Sequence, residues 1–203
     1  YGAFFVVATN LLVVLSHQAG YLKANAHLKN TRLAAVSALL AEVYDKQILS
    51  ILYPLPQQVP KNNQVLESRK LSFHSLDWAA LPGKNLTRDF DLPLSPHCRG
   101  YLDQAQVVES EKNSYQLRGW AVDSATTKTA DIVVLTTEDH SVVGIAFASR
   151  PRADIRQHYP NAIDSGWFGY ARANPGQTIK AYALVNDNRS VCLLRGNFSR
   201  ADE

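Results

Sequence analysis

The sequence predicts a mainly β C-terminal domain of the antiparallel β-sandwich type, preceded by a transmembrane-type helix and an amphipathic helical linker. Three observations lead to this prediction. The first 22 residues contain no Asp, Glu, Lys or Arg, apolar residues then recur every three or four positions up to Pro54, and short alternating runs follow Cys98. We therefore divide the chain into an apolar segment (1–22), a helical linker with an irregular connector (23–96) and a β-domain (97–203).

The opening segment, YGAFFVVATNLLVVLSHQAGYL, is long enough to cross a bilayer. A helix of this length rises roughly 30 Å, which is the thickness of the hydrocarbon core. It does not have the form of a signal peptide, because no basic region precedes it and no small-residue cleavage site follows it. The polar residues Thr9, Asn10, Ser16, His17 and Gln18 favour the alternative, a buried element of a soluble core. We expect a membrane span, with the bilayer as its partner.

Charge and composition narrow the class of protein. The net charge is +3 over 203 residues, and the basic residues are scattered along the chain. Nucleic-acid-binding proteins usually concentrate Lys and Arg on one face, so we expect no nucleic-acid partner. The chain begins at Tyr1 and contains no methionine. We interpret it as the C-terminal part of a longer protein, whose upstream membrane domain is a further expected partner.

An amphipathic helix opens the linker, in the stretch TRLAAVSALLAEVYDKQILSILYP. The apolar residues that share one helical face are Leu33, Val36, Leu40, Tyr44, Ile48 and Ile51. The polar residues lie mostly on the other sides of the helix: Ser37, Glu42, Asp45 and Lys46. Thr31 is the expected N-cap and Pro54 the expected end. Such a helix packs on a partner or lies along a membrane surface, and packing is the more common outcome.

A second helical stretch, KNNQVLESRKLSF, and an irregular connector up to Pro96 complete the linker. The β-domain that follows is indicated by alternation and by turn signals. In SYQLRGWAV, Tyr115, Leu117, Gly119 and Ala121 form one face, and the residues between them form the other. ADIVVLTT and SVVGIAFAS are β-branched runs joined by EDHS, which predicts a hairpin. With TIKAYALVND and VCLLRG, about five short strands favour an antiparallel sandwich or a related barrel.

The two cysteines stand at opposite ends of the β-domain, Cys98 before its first predicted strand and Cys192 in its last. A disulfide between them would close a long loop and stabilise the fold by several kcal/mol on the loop-entropy model. The alternative is a pair of buried free thiols, as in a reducing compartment. The placement favours the disulfide. Lys23, Lys29 and Arg32 argue the other way, because basic residues after a span indicate the cytoplasmic side.

The sequence contains no familiar catalytic pattern. It lacks G-x-S-x-G, a glycine-rich phosphate loop and a His-Glu metal helix. The acids considered as a glycosidase-like carboxylate pair are Asp123, Asp131, Glu138 and Asp139. They lie in a turn or beside a Thr-rich loop, where solvated acids are common. We therefore predict no catalytic residue, no metal ligand and no cofactor in this chain, and leave open whether the whole protein is an enzyme.

One arginine-rich stretch, ASRPRADIRQ, is the main candidate for ligand binding. Together with the aromatic residues of SGWFGY, the candidate residues are Arg150, Arg152, Asp154, Arg156, Trp167 and Tyr170. Guanidinium groups beside aromatic rings suit a sugar or an anionic glycan, through forked hydrogen bonds and stacking. In the structural alternative, which we favour, Pro151 ends a strand, Asp154 accepts hydrogen bonds from Arg152, and the aromatic residues enter the core.

The β-domain also resembles a known type of module. Its segments GYLD, GWAVD, VVGIAFASRPRADI, SGWFGY and VCLL, with Cys98, are similar to a C-terminal domain of bacterial polytopic membrane proteins linked to surface-polysaccharide assembly. Some of these proteins are glycosyltransferase-like. The resemblance covers residues 98–196. It implies a periplasmic accessory domain in which Cys98 and Cys192 are bonded and the arginine stretch is part of the fold, and it supplies no catalytic residue.

Three function hypotheses follow from the sequence, of which the least favoured is a small hydrolase that uses the acidic residues. In the first, the chain contributes a non-catalytic periplasmic domain to an integral protein of the bacterial inner membrane, which assembles surface polysaccharide or glycolipid and handles a glycan or lipid-linked sugar. In the second, it is a free-standing carbohydrate-binding or adhesin-type β-module that binds through the arginine and aromatic residues.

Overall fold

The computed structural model describes residues 24–89 and 93–199. The segment 1–22, for which the sequence predicts a membrane span, lies outside the described residues. Of the helices within the two described ranges, none combines the length and the apolar character that a bilayer span requires. The described chain consists of an N-terminal helical layer followed by an antiparallel β-sheet.

The helical layer contains three α-helices and three short 3₁₀ turns among the described residues. The α-helices are α1 over residues 24–40, α2 (Lys46–Leu52) and α3 (Val59–Ser68). The 3₁₀ turns are Pro56–Gln58, Ser72–Ser75 and Asp77–Ala80. The connector of the predicted linker therefore contains more local structure than its irregular sequence indicates. A fourth helix of one turn, α4 (Ala153–Arg156), lies within the β-domain.

Thr31 is not the N-cap of the first helix, and that prediction is wrong. The described part of α1 already includes residues 24–30, and the Thr31 hydroxyl donates a hydrogen bond of 2.9 Å to the carbonyl of His27, one turn earlier. This bond is the one that a threonine inside a helix commonly makes. The capping residue of the region is Asp45, whose carboxylate accepts a hydrogen bond of 2.9 Å from the Gln47 N–H and starts α2.

The single helix predicted from Thr31 to Pro54 is broken at Glu42. This residue has a positive φ of 53°. The Val43 N–H reaches back to the Ala38 carbonyl at 2.8 Å, and the Glu42 N–H reaches the Leu39 carbonyl at 3.2 Å. These two bonds form a Schellman motif, which ends a helix with one left-handed residue. The break changes the face of the following helix, so that Ile51, expected on the apolar face, is 59% exposed.

Among the described residues, the β-domain contains nine strands: seven form one continuous sheet path, and two short strands pair with members of that path. They are β1 (Cys98–Val107), β2 (Ser114–Asp123), β3 (Lys128–Thr129), β4 (Ile132–Thr136), β5 (Val142–Arg150), β6 (Gly166–Arg172), β7 (Thr178–Val185), β8 (Ser190–Leu193) and β9 (Phe198–Ser199). The order is β1-β2-β6-β5-β4-β7-β8, with β3 paired to β2 and β9 to β7. All of these pairings are antiparallel. The predicted antiparallel β-domain and its β4–β5 hairpin are confirmed.

The two edge strands of the sheet, β1 and β8, meet along a seam. Just after β8, the Arg195 N–H donates to the Gly100 carbonyl at 3.1 Å, and the Leu102 N–H donates to the Arg195 carbonyl at 2.9 Å. A disulfide joins Cys98 to Cys192 across the same seam, with their Cα atoms 6.0 Å apart. The predicted disulfide is confirmed. The sheet therefore curves into a barrel-like shape whose edges are covalently linked.

Alternate residues of each strand face the two sides of this sheet. Tyr115, Leu117 and Ala121 of β2 join the largest buried cluster, to which β1, β4, β5, β6, β7 and β8 also contribute. We call this side the inner face. Trp120 and Val122 face the opposite side and pack near the loop after β5. The alternation predicted for SYQLRGWAV is confirmed.

The helical layer covers part of the outer face. Leu40, at the end of α1, packs with Ile145 and Phe147 of β5, and Ala34 and Ala38 pack with Phe168 and Tyr170 of β6. The amphipathic helix thus packs on a partner, and that partner is the sheet of the same chain. The segment 23–96, which we interpret from the sequence as a linker, therefore contributes to the core on the outer face of the sheet.

One polar residue, Ser37, fixes α1 to the sheet. It is fully buried, and its hydroxyl accepts a hydrogen bond of 2.8 Å from the Tyr170 N–H and donates one to the Ile145 carbonyl. Ile145 and Tyr170 would be the next opposed pair of β5 and β6 after Ala146 and Gly169. The serine hydroxyl takes the place of that pair, so the helix satisfies backbone groups that the two strands leave open.

Candidate functional site

Arg152 holds the loop after β5 against strand β1. Its guanidinium donates two hydrogen bonds to Asp154, at 2.9 and 2.8 Å, and one to Asp103, at 2.6 Å. Gly166 makes room for this arrangement, because a Cβ there would lie 3.2 Å from the Arg152 Cγ and 2.8 Å from the Arg150 carbonyl oxygen. Arg152 and the two carboxylates, named here the Arg152 cluster, therefore connect residues 49 positions apart in the sequence.

The other two arginines of the predicted site have different surroundings. The Arg150 guanidinium lies 4.3 Å from the centre of the Phe168 ring, a cation–π contact. Burial lowers the pKa of Arg150, and the positive charge of Arg118 lowers it further. Arg156 ends α4 and is exposed, and no salt bridge within the described ranges includes it. The three arginines are neighbours in sequence, but only Arg152 forms a charged cluster.

The predicted aromatic residues are in the core. Trp167 and Tyr170 are both 0% exposed. The Trp167 ring packs on Gly119 of β2, where a Cβ would lie 2.5 Å from the Trp167 Cζ2. Neither ring offers a face on which a sugar could stack. This burial favours the structural alternative for the arginine stretch over a glycan site formed with these two rings.

Tyr170 instead connects the sheet to helix α2. Its hydroxyl donates a hydrogen bond of 2.7 Å to the Asp45 carboxylate and accepts one of 3.1 Å from the Gln116 side chain. Burial raises the pKa of Tyr170, and the hydrogen bond to Asp45 raises it further, so the phenol stays neutral. The same carboxylate caps α2 through its other oxygen. Ser37 of α1 and Asp45, the cap of α2, thus both attach their helices to one residue of β6, Tyr170.

Two of the four acids considered for catalysis, Asp123 and Asp139, stabilise turns. The Asp123 carboxylate is buried and accepts hydrogen bonds from the Ala125 N–H at 2.9 Å and the Asn186 N–H at 3.4 Å. Hydrogen bonds from the Thr137 and Ser141 hydroxyls lower the pKa of Asp139. Among the residues that the structure describes, no group of three or more His, Cys, Asp or Glu could hold a metal ion.

The Arg152 cluster makes a testable contribution to stability. The hydrogen bonds from Arg152 lower the pKa of Asp154 from 3.8 to about 2. Because the folded-state pKa lies below the unfolded value, this pairing stabilises the fold above about pH 4, and that contribution is lost as the pH falls toward 2. The carboxylates are partly exposed, so we expect Arg152→Ala to lower the free energy of unfolding at pH 7 by only about 1 kcal/mol.

Urea unfolding of the Arg152→Ala variant at pH 7, 4 and 2.5 measures this effect. We expect the difference from the wild type to shrink between pH 4 and 2.5, because the wild type loses the pairing there. Arg156→Ala is the matched control, since it removes an exposed arginine of the same loop. Equal losses in the two variants, or a difference that does not change with pH, would contradict the role assigned to Arg152.

A second surface feature, which the sequence did not reveal, is a cleft of about 700 Å³ at the seam between β1 and β8. We call it the seam cleft. The residues that line it are Leu94, Ser95, Pro96, Cys98, Arg99, Gly100, Tyr101, Trp120, Cys192, Leu193 and Arg195. Tyr101 stands opposite Trp120 in the pairing of β1 with β2, and opposite Arg195 across the seam. Directly opposed residues point to the same side of a sheet, so these three side chains share the outer face.

The seam cleft is positively charged and carries exposed apolar groups. Of the described residues that line it, the charged ones are Arg99 and Arg195, and none is a carboxylate. Within residues 24–89 and 93–199, neither guanidinium forms a salt bridge or a side-chain hydrogen bond. Tyr101 is 45% exposed and Leu193 is 52% exposed. Exposed aromatic and arginine side chains without partners in the fold are typical of binding surfaces.

Fold and surface together define a disulfide-linked antiparallel β-domain with an N-terminal helical layer and a basic cleft at its seam. No protein-family model, curated protein or solved structure matches this chain. Its function is therefore inferred from its own residues.

Proposed function

We propose that this chain forms a periplasmic, non-catalytic domain of a bacterial inner-membrane protein that assembles surface polysaccharide or glycolipid. The observation that carries the proposal is the disulfide between Cys98 and Cys192. Disulfides persist in the periplasm, whereas cytosolic thiols are kept reduced. The resemblance of the segments from residue 98 to 196 to accessory domains of such membrane proteins supports the same assignment.

The position of the disulfide strengthens this reasoning. It links the two edges of the sheet, where the described residues also form two short parallel bridges, one between Leu94 and Val191 and one between Tyr101 and Arg195. Parallel pairs this short contribute few hydrogen bonds, and exposed strand edges are prone to pair with other chains. A fold that closes its edges with a disulfide is suited to an oxidising compartment.

Sugar binding is a second candidate function, and the seam cleft is the observation that favours it. The cleft offers an aromatic pair and two arginines without partners among the described residues. The two functions are compatible, because an accessory domain of a polysaccharide-assembling protein can also hold a glycan.

The compartment is tested with reporter fusions after residue 203 of the natural gene in its bacterial cell. We expect alkaline phosphatase, which needs an oxidising compartment, to be active, and green fluorescent protein exported in unfolded form to be dark. Maleimide labelling of unreduced cells should leave Cys98 and Cys192 unmodified, with two labels added after reduction. A fluorescent fusion together with two reactive thiols in unreduced cells would place the domain in the cytoplasm and refute the proposal.

The role in assembly is tested by deletion of residues 97–203 from the chromosomal gene. We expect surface polysaccharide to be lost or shortened, while the shortened membrane protein remains detectable by immunoblot. Unchanged amount and length of the polysaccharide would show that the domain has no part in its assembly.

A further inference from the structure

We propose that the seam cleft binds a sugar that carries an anionic group, either a carboxylate or a phosphate. The choice of a sugar rests on the proposed function, whereas the preference for an anion rests on the geometry of the cleft. The site differs from the arginine stretch that the sequence indicated, because none of Arg150, Arg152 and Arg156 lines the cleft.

The aromatic part of the site comes from two adjacent strands. Tyr101 of β1 and Trp120 of β2 are directly opposed, which places their side chains side by side on the outer face. Trp120 is partly buried and packs with Val122, Ile155 and Ala162, so its ring is held in place before any ligand arrives. Tyr101 is more exposed. The fixed Trp120 ring and the exposed Tyr101 ring beside it provide apolar faces for the C–H groups of a sugar, and the fixed ring does so at low entropic cost.

The charged part of the site surrounds Tyr101. Arg99 lies two positions before it on the same side of β1, and Arg195 is its bridge partner across the seam. Each guanidinium has a planar fork of N–H donors that matches a carboxylate or phosphate, and neither donates to another described side chain. None of the described residues that line the cleft is a carboxylate, so the charged groups among them attract an anion. A ligand that combines a ring with a negative charge fits both parts.

The disulfide holds the two sides of the site together. Arg99 and Tyr101 lie on the strand of Cys98, and Arg195 follows the strand of Cys192. Gly100 keeps the strands close, because a Cβ there would lie 2.5 Å from the Trp120 carbonyl oxygen and 2.7 Å from the Leu194 Cδ2. The two arginines are therefore brought together by the seam, and the site is complete only when the seam is closed.

Isothermal titration of the oxidised 203-residue chain with three probes tests the proposal. Tetragalacturonate carries a carboxylate on every ring, glucose 1-phosphate carries a phosphate, and maltotetraose is uncharged. We expect one of the two anionic probes to bind with a Kd of about 10 µM to 1 mM, at least about tenfold more tightly than maltotetraose. The stronger anionic probe identifies the charged group. The proposal would be overturned if neither anionic probe binds at 10 mM, or if maltotetraose binds as tightly as the anionic probes.

Variants locate the site. We expect the double variant Arg99→Ala/Arg195→Ala to raise the Kd for the anionic probe at least about tenfold. Tyr101→Ala changes an exposed side chain and should also weaken binding of the anionic probe. Arg189→Ala is the matched control, because Arg189 is an exposed arginine in the turn before β8 and does not line the cleft. If the double variant and the control variant bind the anionic probe equally tightly, the probe binds elsewhere on the protein.

The outcomes separate this inference from the proposed function. Active phosphatase fusions without sugar binding would support the compartment and refute the cleft as a sugar site. Binding with the expected variant effects, but with a cytoplasmic reporter result, would keep the anion-binding cleft and refute the periplasmic role.

Discussion

Loss of the Cys98–Cys192 disulfide is expected to lower the free energy of unfolding by about 4 to 5 kcal/mol. The bond connects residues separated by 94 positions, so it restricts the unfolded chain far more than a disulfide within a hairpin would. It also joins the two edges of the sheet, where short parallel bridges are the neighbouring backbone contacts. Its loss therefore acts on both the unfolded and the folded state.

The Cys98→Ala/Cys192→Ala variant measures this effect in urea unfolding. Alanine is the suitable replacement because both cysteines are buried, and a serine hydroxyl would add the cost of an unpaired polar group. Reduced wild-type protein is the control, since it loses the bond without any substitution. Both samples should show a similar loss. A loss below about 1 kcal/mol in both would show that the seam is stable without its covalent link.

This prediction connects the fold to its proposed compartment. Domains of this size are usually stable by about 5 to 15 kcal/mol, so a loss of 4 to 5 kcal/mol removes a large part of the total. We infer that the domain is marginally stable in a reducing compartment. The seam cleft would be affected first, because Arg99 lies on the strand of Cys98 and Arg195 follows the strand of Cys192.

The sequence predicted best those strands whose two faces differ. β2 alternates between the inner core and the outer side, and β4 and β5 form a hairpin around an evident turn, so local patterns identify them. β6 was missed as a strand because Gly166–Ala171 is buried throughout, and a strand covered on both sides has no alternation to detect. β1 was missed because its alternation of buried and exposed residues is short and ends at a bulge between Leu102 and Gln104.

The helical layer shows where local patterns fail. The break at Glu42 uses a Schellman motif with a glutamate at the left-handed position, whereas the sequence signal for this motif is glycine. Ser37 and Asp45 were assigned to the polar side of the helix, yet both are buried. Their partners, on strands more than a hundred residues later, exist only once the sheet has formed.

The two candidate sites also depend on contacts between residues that are distant in sequence and meet only in the folded sheet. Asp154 could be expected to pair with Arg152 because they are close in sequence, but Asp103 reaches Arg152 only through the approach of β1 to the loop after β5. Arg99 and Arg195 come together because the edges of the sheet meet. Periodicity within one segment carries no information about such contacts.

Replacement of Ser37 by alanine is expected to lower the free energy of unfolding by about 3 kcal/mol. The substitution leaves the Tyr170 N–H and the Ile145 carbonyl without the hydroxyl that satisfies them. Both groups lie in a buried region between α1 and the sheet, where water cannot easily replace the serine. Each buried backbone group without a partner costs roughly 1 to 3 kcal/mol.

Urea unfolding of Ser37→Ala tests the expectation, with Ser50→Ala as the control. Ser50 is exposed on α2, and its hydroxyl bonds within the helix to the Gln47 carbonyl, so its loss should cost less than about 0.5 kcal/mol. A loss below about 1 kcal/mol for Ser37→Ala would show that Ile145 and Tyr170 pair directly once the hydroxyl is gone.

A double-mutant cycle decides whether the two helices dock as one unit. Tyr170 binds α1 through its N–H to Ser37 and α2 through its hydroxyl to Asp45. If the helical layer separates from the sheet when either attachment is lost, Ser37→Ala and Tyr170→Phe should together cost clearly less than the sum of their separate losses. If α1 and α2 dock independently, the two losses should add within about 0.5 kcal/mol. We expect the first result, because Ala38 and Val43, on either side of the Glu42 break, pack in the same cluster with Phe168 and Tyr170.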